Sequence, residues 1–210
     1  MTSPVHVTVV DYGVGNMNSV INALGHLGAR VTVSDRPDVV AAADRLVLPG
    51  VGAFPDGMRL LRERGLDTAL NAAVANGKPL LGICLGMQLL FESSDEFGDH
   101  AGLGLVPGRV VRLSPEAGFK VPQIGWNRLR QAGRSWAGTI LATTPPDTMV
   151  YFVHSDAPDA ATAGGLLADC DYGGQTVTAT IQHGLVSGCQ FHPEKSGPAG
   201  LGILREFLAP

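Results

Sequence analysis

The chain has 210 residues, 45% of them hydrophobic, which suits one α/β domain or two small ones and supplies a core either way. Its net charge of −4 is scattered, with no Lys/Arg cluster to suggest nucleic acid and no apolar run of membrane-span length, and without a basic and then apolar opening no secretory signal is expected. The three cysteines, Cys84, Cys170 and Cys189, form an odd set without metal spacing, so a reduced cytoplasm is expected, and no metal or cofactor is called for.

Residues 5–10 are β-branched and alternate little, the pattern of a buried parallel strand. The glycine-rich turn Asp11-Tyr12-Gly13-Val14-Gly15-Asn16 leads into a helix over about 16–26, stopped by Gly28. A second strand covers 29–33 and runs to Asp35. Gly13-x-Gly15 after a first strand, with an acid closing the second, raises a dinucleotide-binding alternative. It lacks the third glycine, because Asn18 occupies that position and would crowd the helix–strand contact. A short helix at 38–43 and a third strand at 46–48 follow, then Pro49-Gly50-Val51-Gly52 at a strand's carboxyl end, where open α/β sheets bind ligands. Flanked by two glycines, the Val51 peptide can rotate at little steric cost, although by itself the stretch reads better as a plain strand-to-helix turn. Helices fill about 54–76 with a break near Gly65.

The next stretch organises the chain. Residues 79–83 read as a strand and 85–92 as a helix, and between them Cys84 has Gly82 and Gly86 two residues to either side. This is the G-x-nucleophile-x-G elbow with Cys for Ser; a Cβ at either glycine would collide with the adjoining strand or helix. The helix start also favours a thiolate. The plain alternative is a structural cysteine in an ordinary strand-to-helix turn. Four βα steps in succession predict a parallel sheet.

Beyond Glu96 strands dominate, at 109–113, 149–153, 166–170, 175–182 and 185–191, read as hairpins and edge strands added to that sheet, with Gly173-Gly174 as one hairpin turn. A last helix spans about 199–208. No linker or repeat interrupts the chain, so 1–210 read as a single domain. In Gln190-Phe191-His192-Pro193-Glu194, His192 and Glu194 are two apart; in an extended segment both point the same way, so the carboxylate can orient the imidazole toward a nucleophile. Alone, the motif deserves the plainer reading, an exposed loop histidine with a solvated acid.

Together, Gly82-Ile83-Cys84-Leu85-Gly86-Met87-Gln88 and Gln190-Phe191-His192-Pro193-Glu194 resemble the class I, triad-type glutamine amidotransferases. The opening turn at 11–16, Pro49-Gly50-Val51-Gly52, the 121–127 stretch, Tyr151-Phe152-Val153-His154-Ser155 and His192-Pro193-Glu194-Lys195-Ser196 narrow the resemblance to the glutaminase-subunit family of imidazole glycerol phosphate synthases, in histidine biosynthesis. It covers the chain from end to end and accounts for Gly13-x-Gly15 without a dinucleotide. What it implies is a doubly wound, mostly parallel α/β sheet with helices on both faces and antiparallel strands added in the C-terminal half.

It further implies that Cys84 attacks the carboxamide of L-glutamine, His192 serves as base and then acid, and Glu194 orients it. Val51 and Leu85 N–H groups would be the oxyanion donors. Gly50, Gly52, Gln88, Glu96, His154, Ser155 and Asp156 would hold glutamine, and ammonia would pass to a (β/α)8-barrel cyclase that Asn16, Trp126 and Lys195 meet. One position departs: the family usually has Tyr where Asp156 stands, a harmless change if only the backbone is used there, which is the reading preferred from sequence. The alternatives are a glutaminase serving another synthase, such as anthranilate or carbamoyl phosphate synthesis, and a silent regulatory homologue. Gly125-Trp126-Asn127 and Lys195 argue against the first; a complete Cys84, His192 and Glu194 set argues against the second.

Overall fold

The structure, a computed structural model, describes residues 4–14 and 17–209. Its first half alternates as read: β1 (His6–Val10), α1 (Met17–His26), β2 (Arg30–Ser34), α2 (Pro37–Ala41), β3 (Leu46–Gly50), α3 (Phe54–Glu63), α4 (Leu66–Ala75), β4 (Leu80–Cys84) and α5 (Leu85–Leu89). The second half is strand-rich: β5 (Phe91–Ser94), β6 (His100–Ala101), β7 (Val106–Arg112), β8 (Gln123–Arg128), β9 (Arg130–Gln131), β10 (Met149–His154), β11 (Asp156–Pro158), β12 (Leu166–Tyr172), β13 (Gln175–His183) and β14 (Val186–Cys189). A 3-10 turn (Pro193–Lys195) and α6 (Gly197–Leu208) close the chain.

The main sheet has eight strands in the order β2-β1-β3-β4-β14-β13-β12-β9. The first five run parallel and the last three are antiparallel additions. Strand alternation divides the core. Val7, Val9, Val47, Leu81 and Ile83 point to one face and pack on Val20 and Leu24 of α1 and Ile203, Leu204 and Phe207 of α6. Val10, Leu46, Leu48 and Leu80 point to the other, under Val40, Leu61, Leu66 and Leu70 of α2 to α4. Covering on both faces is why these strands read as continuous apolar runs. Among the described residues, no helix is long and apolar enough to cross a membrane.

Three expectations need correction. The helix expected over 85–92 stops at Leu89. The carbonyls of Leu89, Leu90, Phe91 and Glu92 accept instead from the N–H groups of Leu103, Leu105 and Val106, Gly104, and Gly102. Those donors come from a distant segment, so helical periodicity could not reveal the switch to β5. Next, the later strands are not all additions to one sheet. β11-β7-β5-β6 and β10-β8 form sheets of their own, and β14 lies inside the main sheet, parallel to β4. Last, Glu194 does not continue an extended segment. His192 is extended (φ −97°, ψ 98°), and the chain then turns into the 3-10 element, closed by Lys195 N–H to the His192 carbonyl.

Candidate active site

β4 ends on Cys84, whose φ of 55° and ψ of −114° lie outside the regions L-residues favour. The flanking glycines are needed because backbone is pressed against them. A Cβ on Gly82 would lie 2.6 Å from the Gly86 carbonyl oxygen, and one on Gly86 only 1.8 Å from that of Leu48 on β3. The elbow is thus wedged between its own strand and its neighbour. Because α5 has only five residues, its macrodipole is that of little more than one turn, a weaker aid to a thiolate than the expected longer helix. The thiol lies 3.8 Å from the Val153 carbonyl and 3.9 Å from Gln190 Nε2.

β14 runs parallel to β4, with Cys189 opposite Ile83, so both strands deliver their ends to the same edge of the sheet. Past β14, His192 is buried and its Nδ1 donates to Glu194 Oε1 at 2.7 Å. Its Nε2 makes no hydrogen bond of ordinary geometry among the described residues. Burial pushes the ring toward neutrality, but Cys84 and Glu194 outweigh it and hold the imidazole up at about 9. Cys84 is therefore within electrostatic reach of Nε2 without being locked to it. Cys170 and Cys189 differ in kind: burial pushes the Cys170 thiol up to about 12 and Cys189 higher still. All three cysteines are unpaired.

Beside Cys84 opens a cleft of about 280 Å³, lined by Val51, Gly52, Leu85, Gln88, Glu96 and Pro122 and by residues 153–156. Most of the expected substrate residues meet there, with two changes of part. Gly50 stands behind the wall, where a Cβ would come 2.1 Å from the Tyr12 hydroxyl, so close approach rather than φ requires glycine. Of the two glycines flanking Val51, only Gly52 has a positive φ, at 111°. His154 borders the cleft, but its Nδ1 donates to the Asp156 carbonyl at 2.9 Å and its Nε2 faces the Gln123 amide at 3.1 Å. Burial drives that ring down to about 4, so it is neutral and serves as scaffold.

Gln88 Nε2 is likewise committed, to the Asp156 carbonyl at 2.7 Å and Gln190 Oε1 at 3.1 Å. Glu96 Oε2 accepts the Phe54 N–H at 2.7 Å and so caps α3, whose own N-cap, Ala53, has no side chain for the task. The Asp156 side chain, expected to be a bystander, is buried at the cleft, 3.4 Å from Arg112. Trp126 and Lys195 are exposed outside the cleft and flank Tyr151: Trp126 pairs with it across β8–β10, and the Tyr151 carbonyl takes the His192 N–H. Asn16 lies outside the described residues.

Sequence reasoning missed Gln190, Tyr12 and Arg112. Gln190 is fully buried and links Gln88 to the Cys84 thiol; the available signal was a polar residue inside an apolar strand end. Tyr12 is fully buried with a hydroxyl that has no partner among the described residues, and nothing local in its turn marks it as core. Asp35, the acid of the dinucleotide alternative, pairs with Arg64 at 3.8 Å.

A cysteine elbow on a doubly wound sheet, with a histidine–carboxylate pair one strand over, is the arrangement of a triad-type cysteine hydrolase or transferase. Residues 8–209 match the family described as Glutamine amidotransferase class-I, and the chain belongs to that family. The curated relatives are more particular. "Imidazole glycerol phosphate synthase subunit HisH 1" of Legionella pneumophila (strain Lens) is 46% identical over 209 residues, covering 96% of this chain and 98% of its own. "Imidazole glycerol phosphate synthase subunit HisH" of Streptococcus gordonii is 48% identical over 204 residues, covering 95% and 93%.

Among solved structures, "Structure of PurLQS from Thermotoga maritima" aligns with a TM-score of 0.73 at 20% identity, over 99% of this chain and 98% of that one. "Trypanosoma brucei CTPS - glutaminase domain with bound acivicin" aligns at 0.64 and 15% identity, over 97% and 93%. At such identities these two share the fold alone.

Proposed function

We propose that the chain is the glutaminase subunit of an imidazole glycerol phosphate synthase, hydrolysing L-glutamine and passing the ammonia to a (β/α)8-barrel cyclase subunit. The observation that carries the reading is the His192–Glu194 bond of 2.7 Å, which leaves Nε2 free at the edge where Cys84 is held in its strained turn. His192 takes the thiol proton, Cys84 attacks the carboxamide carbon, and a tetrahedral oxyanion forms. The N–H groups of Leu85, at the start of α5, and Val51, just past the Gly50 that pairs with Cys84 on the neighbouring strand, receive that oxyanion. His192 then gives its proton to the departing ammonia. Water hydrolyses the γ-glutamyl thioester with His192 again as base, releasing glutamate and restoring the thiol.

Gly52, Gln88, Glu96, Ser155 and Asp156 border the glutamine, while Gly50 and His154 support them from behind. The outer face of β8 and β10 exposes Ile124 at 62%, Trp126 at 53% and Met149 at 41%, beside the exposed Lys195. An apolar face with a cation at its rim suits a permanent partner chain. One folded unit in the cytoplasm fits the unbroken family match and three unpaired thiols.

The deciding measurement is ammonia release from glutamine by the chain with and without the cyclase and its ligand. Turnover that rises in the complex supports the reading. A complex that makes product only from added ammonium salts overturns it. Trp126→Ala with intact folding should weaken binding of the cyclase; unchanged affinity removes Trp126 from the interface.

A further inference from the structure

Asp156 is 4% exposed, which is rare for an aspartate without a full set of partners. Its main chain is pinned: the carbonyl accepts from both Gln88 and His154, and β11 is paired to β7 with Asp156 opposite Arg112. The side chain, 5% exposed, is held at the boundary of the cleft and of a neighbouring cavity. Oδ2 lies 3.4 Å from the Arg112 guanidinium, which is 60% exposed and shares its charge with water. Oδ1 is buried with no partner among the described residues. Burial, then Glu96, and less strongly Asp95, push this carboxyl above the ordinary range, with Arg112 pulling the other way. A second, smaller cavity is bounded by Asp95, Glu96, Phe97, Arg112 and Asp156, so Asp156 and Glu96 form the wall between it and the cleft beside Cys84.

That wall is short of positive charge. A buried carboxylate left half-partnered is costly, and a cation brought into the cleft relieves it through a low-dielectric wall that screens little. Glutamine carries one cation. We propose that Asp156, with Glu96, makes the cleft select its substrate by the free α-ammonium group, so that the aspartate standing in place of tyrosine is a specificity residue and not a silent exchange. The inference rests on the glutaminase reading above and deepens it.

The test compares wild type, Asp156→Asn and Arg112→Gln in the complex with the cyclase. KM and kcat are measured for glutamine, and Ki for glutaramate, which keeps the carboxamide and carboxylate but lacks the amino group. Asp156→Asn preserves shape and removes the charge. It should raise the glutamine KM by about tenfold, the equivalent of roughly 1.4 kcal/mol, with kcat within about twofold and the glutaramate Ki unchanged or lower. Arg112→Gln, on a half-exposed surface side chain, should move the glutamine KM the opposite way.

An unchanged KM in Asp156→Asn overturns the inference, and so does a glutaramate Ki that rises in step with KM, since a damaged pocket weakens both. If Asp156→Asn does not fold, the sign of the Arg112→Gln effect decides. A wild-type complex that releases no ammonia from glutamine fails the glutaminase reading itself. A wild type that turns over normally beside an indifferent Asp156→Asn fails this inference alone.

Discussion

The two walls of the cleft are built differently. The Cys84 wall is regular: β3, β4 and β14 lie side by side, and backbone is packed against Gly82 and Gly86 so closely that no side chain fits there. The facing wall, with Glu96 and residues 153–156, comes from the two small sheets and the turn after β5 and is held by single side chains: Gln88 and His154 to the Asp156 carbonyl, Glu96 to the Phe54 N–H. One wall is fixed by steric exclusion, the other by hydrogen bonds that substitution can remove one at a time. Changes in the first should be all-or-none, and changes in the second graded.

The largest effects belong to the elbow. Cys84→Ala should cut glutamine turnover by about 10⁴-fold or more, as when a catalytic nucleophile is removed, with the melting transition little changed. Ammonium-dependent synthesis by the complex should survive. Gly86→Ala should fail the other way: its Cβ would stand 1.8 Å from the Leu48 carbonyl oxygen, and β3 must shift or the elbow must open. A loss of about 3 kcal/mol or more, read by denaturant titration, is expected. A Gly86→Ala protein as stable and active as wild type would end the claim that exclusion fixes this wall.

That wall was also the legible one. Gly82, Cys84 and Gly86 reveal it because a steric demand so local restricts which residues can follow one another. The parallel half of the fold was readable for a similar reason: burial on both faces marks each strand by itself. The facing wall was not readable, because β5 exists only through its pairing with β6 and β7 and the N–H groups that arrive from the segment between them, and Asp156 is buried only because β11 pairs with β7. His192 and Glu194 fall between: their partnership was legible from spacing, but its geometry was not, since a 3-10 turn and not an extended strand brings them together.

Glu194→Gln should give an intermediate effect, smaller than His192→Ala, because an amide can still orient the ring while a missing base has no substitute. Its signature lies in the pH dependence. His192 is held above its unfolded value of about 6.5. The stability it contributes is whole below that value and is lost as pH rises through about 9. Removing the Glu194 charge should move the alkaline fall in stability to lower pH. An alkaline limb that stays put in thermal melts from pH 6 to 10 would mean that Glu194 does not raise the ring.

The smallest expected effect is behind the Cys84 wall. Tyr12 is fully buried and its hydroxyl has no partner among the described residues, while burial, and secondarily Cys84, push its ionisation well above the ordinary range. The group is therefore a neutral hydroxyl, unsatisfied among the described residues. Tyr12→Phe removes only that oxygen and should be neutral or stabilising by up to about 1 kcal/mol. For a chain of this size that is a gain of about 2–4 °C in Tm.

The same oxygen explains Gly50, whose added Cβ would lie 2.1 Å from it. Gly50→Ala should therefore cost clearly less in the Tyr12→Phe background than in wild type, a coupling of about 1 kcal/mol in a double-mutant cycle, since the two groups contend for one space. The remaining neighbours of that Cβ, Gly86 N and Leu85 Cβ at 3.1 Å, are close enough that the relief is partial. Additive losses would mean that the elbow side alone demands glycine at position 50, and the regular wall would then extend across β3 into the Val51 loop.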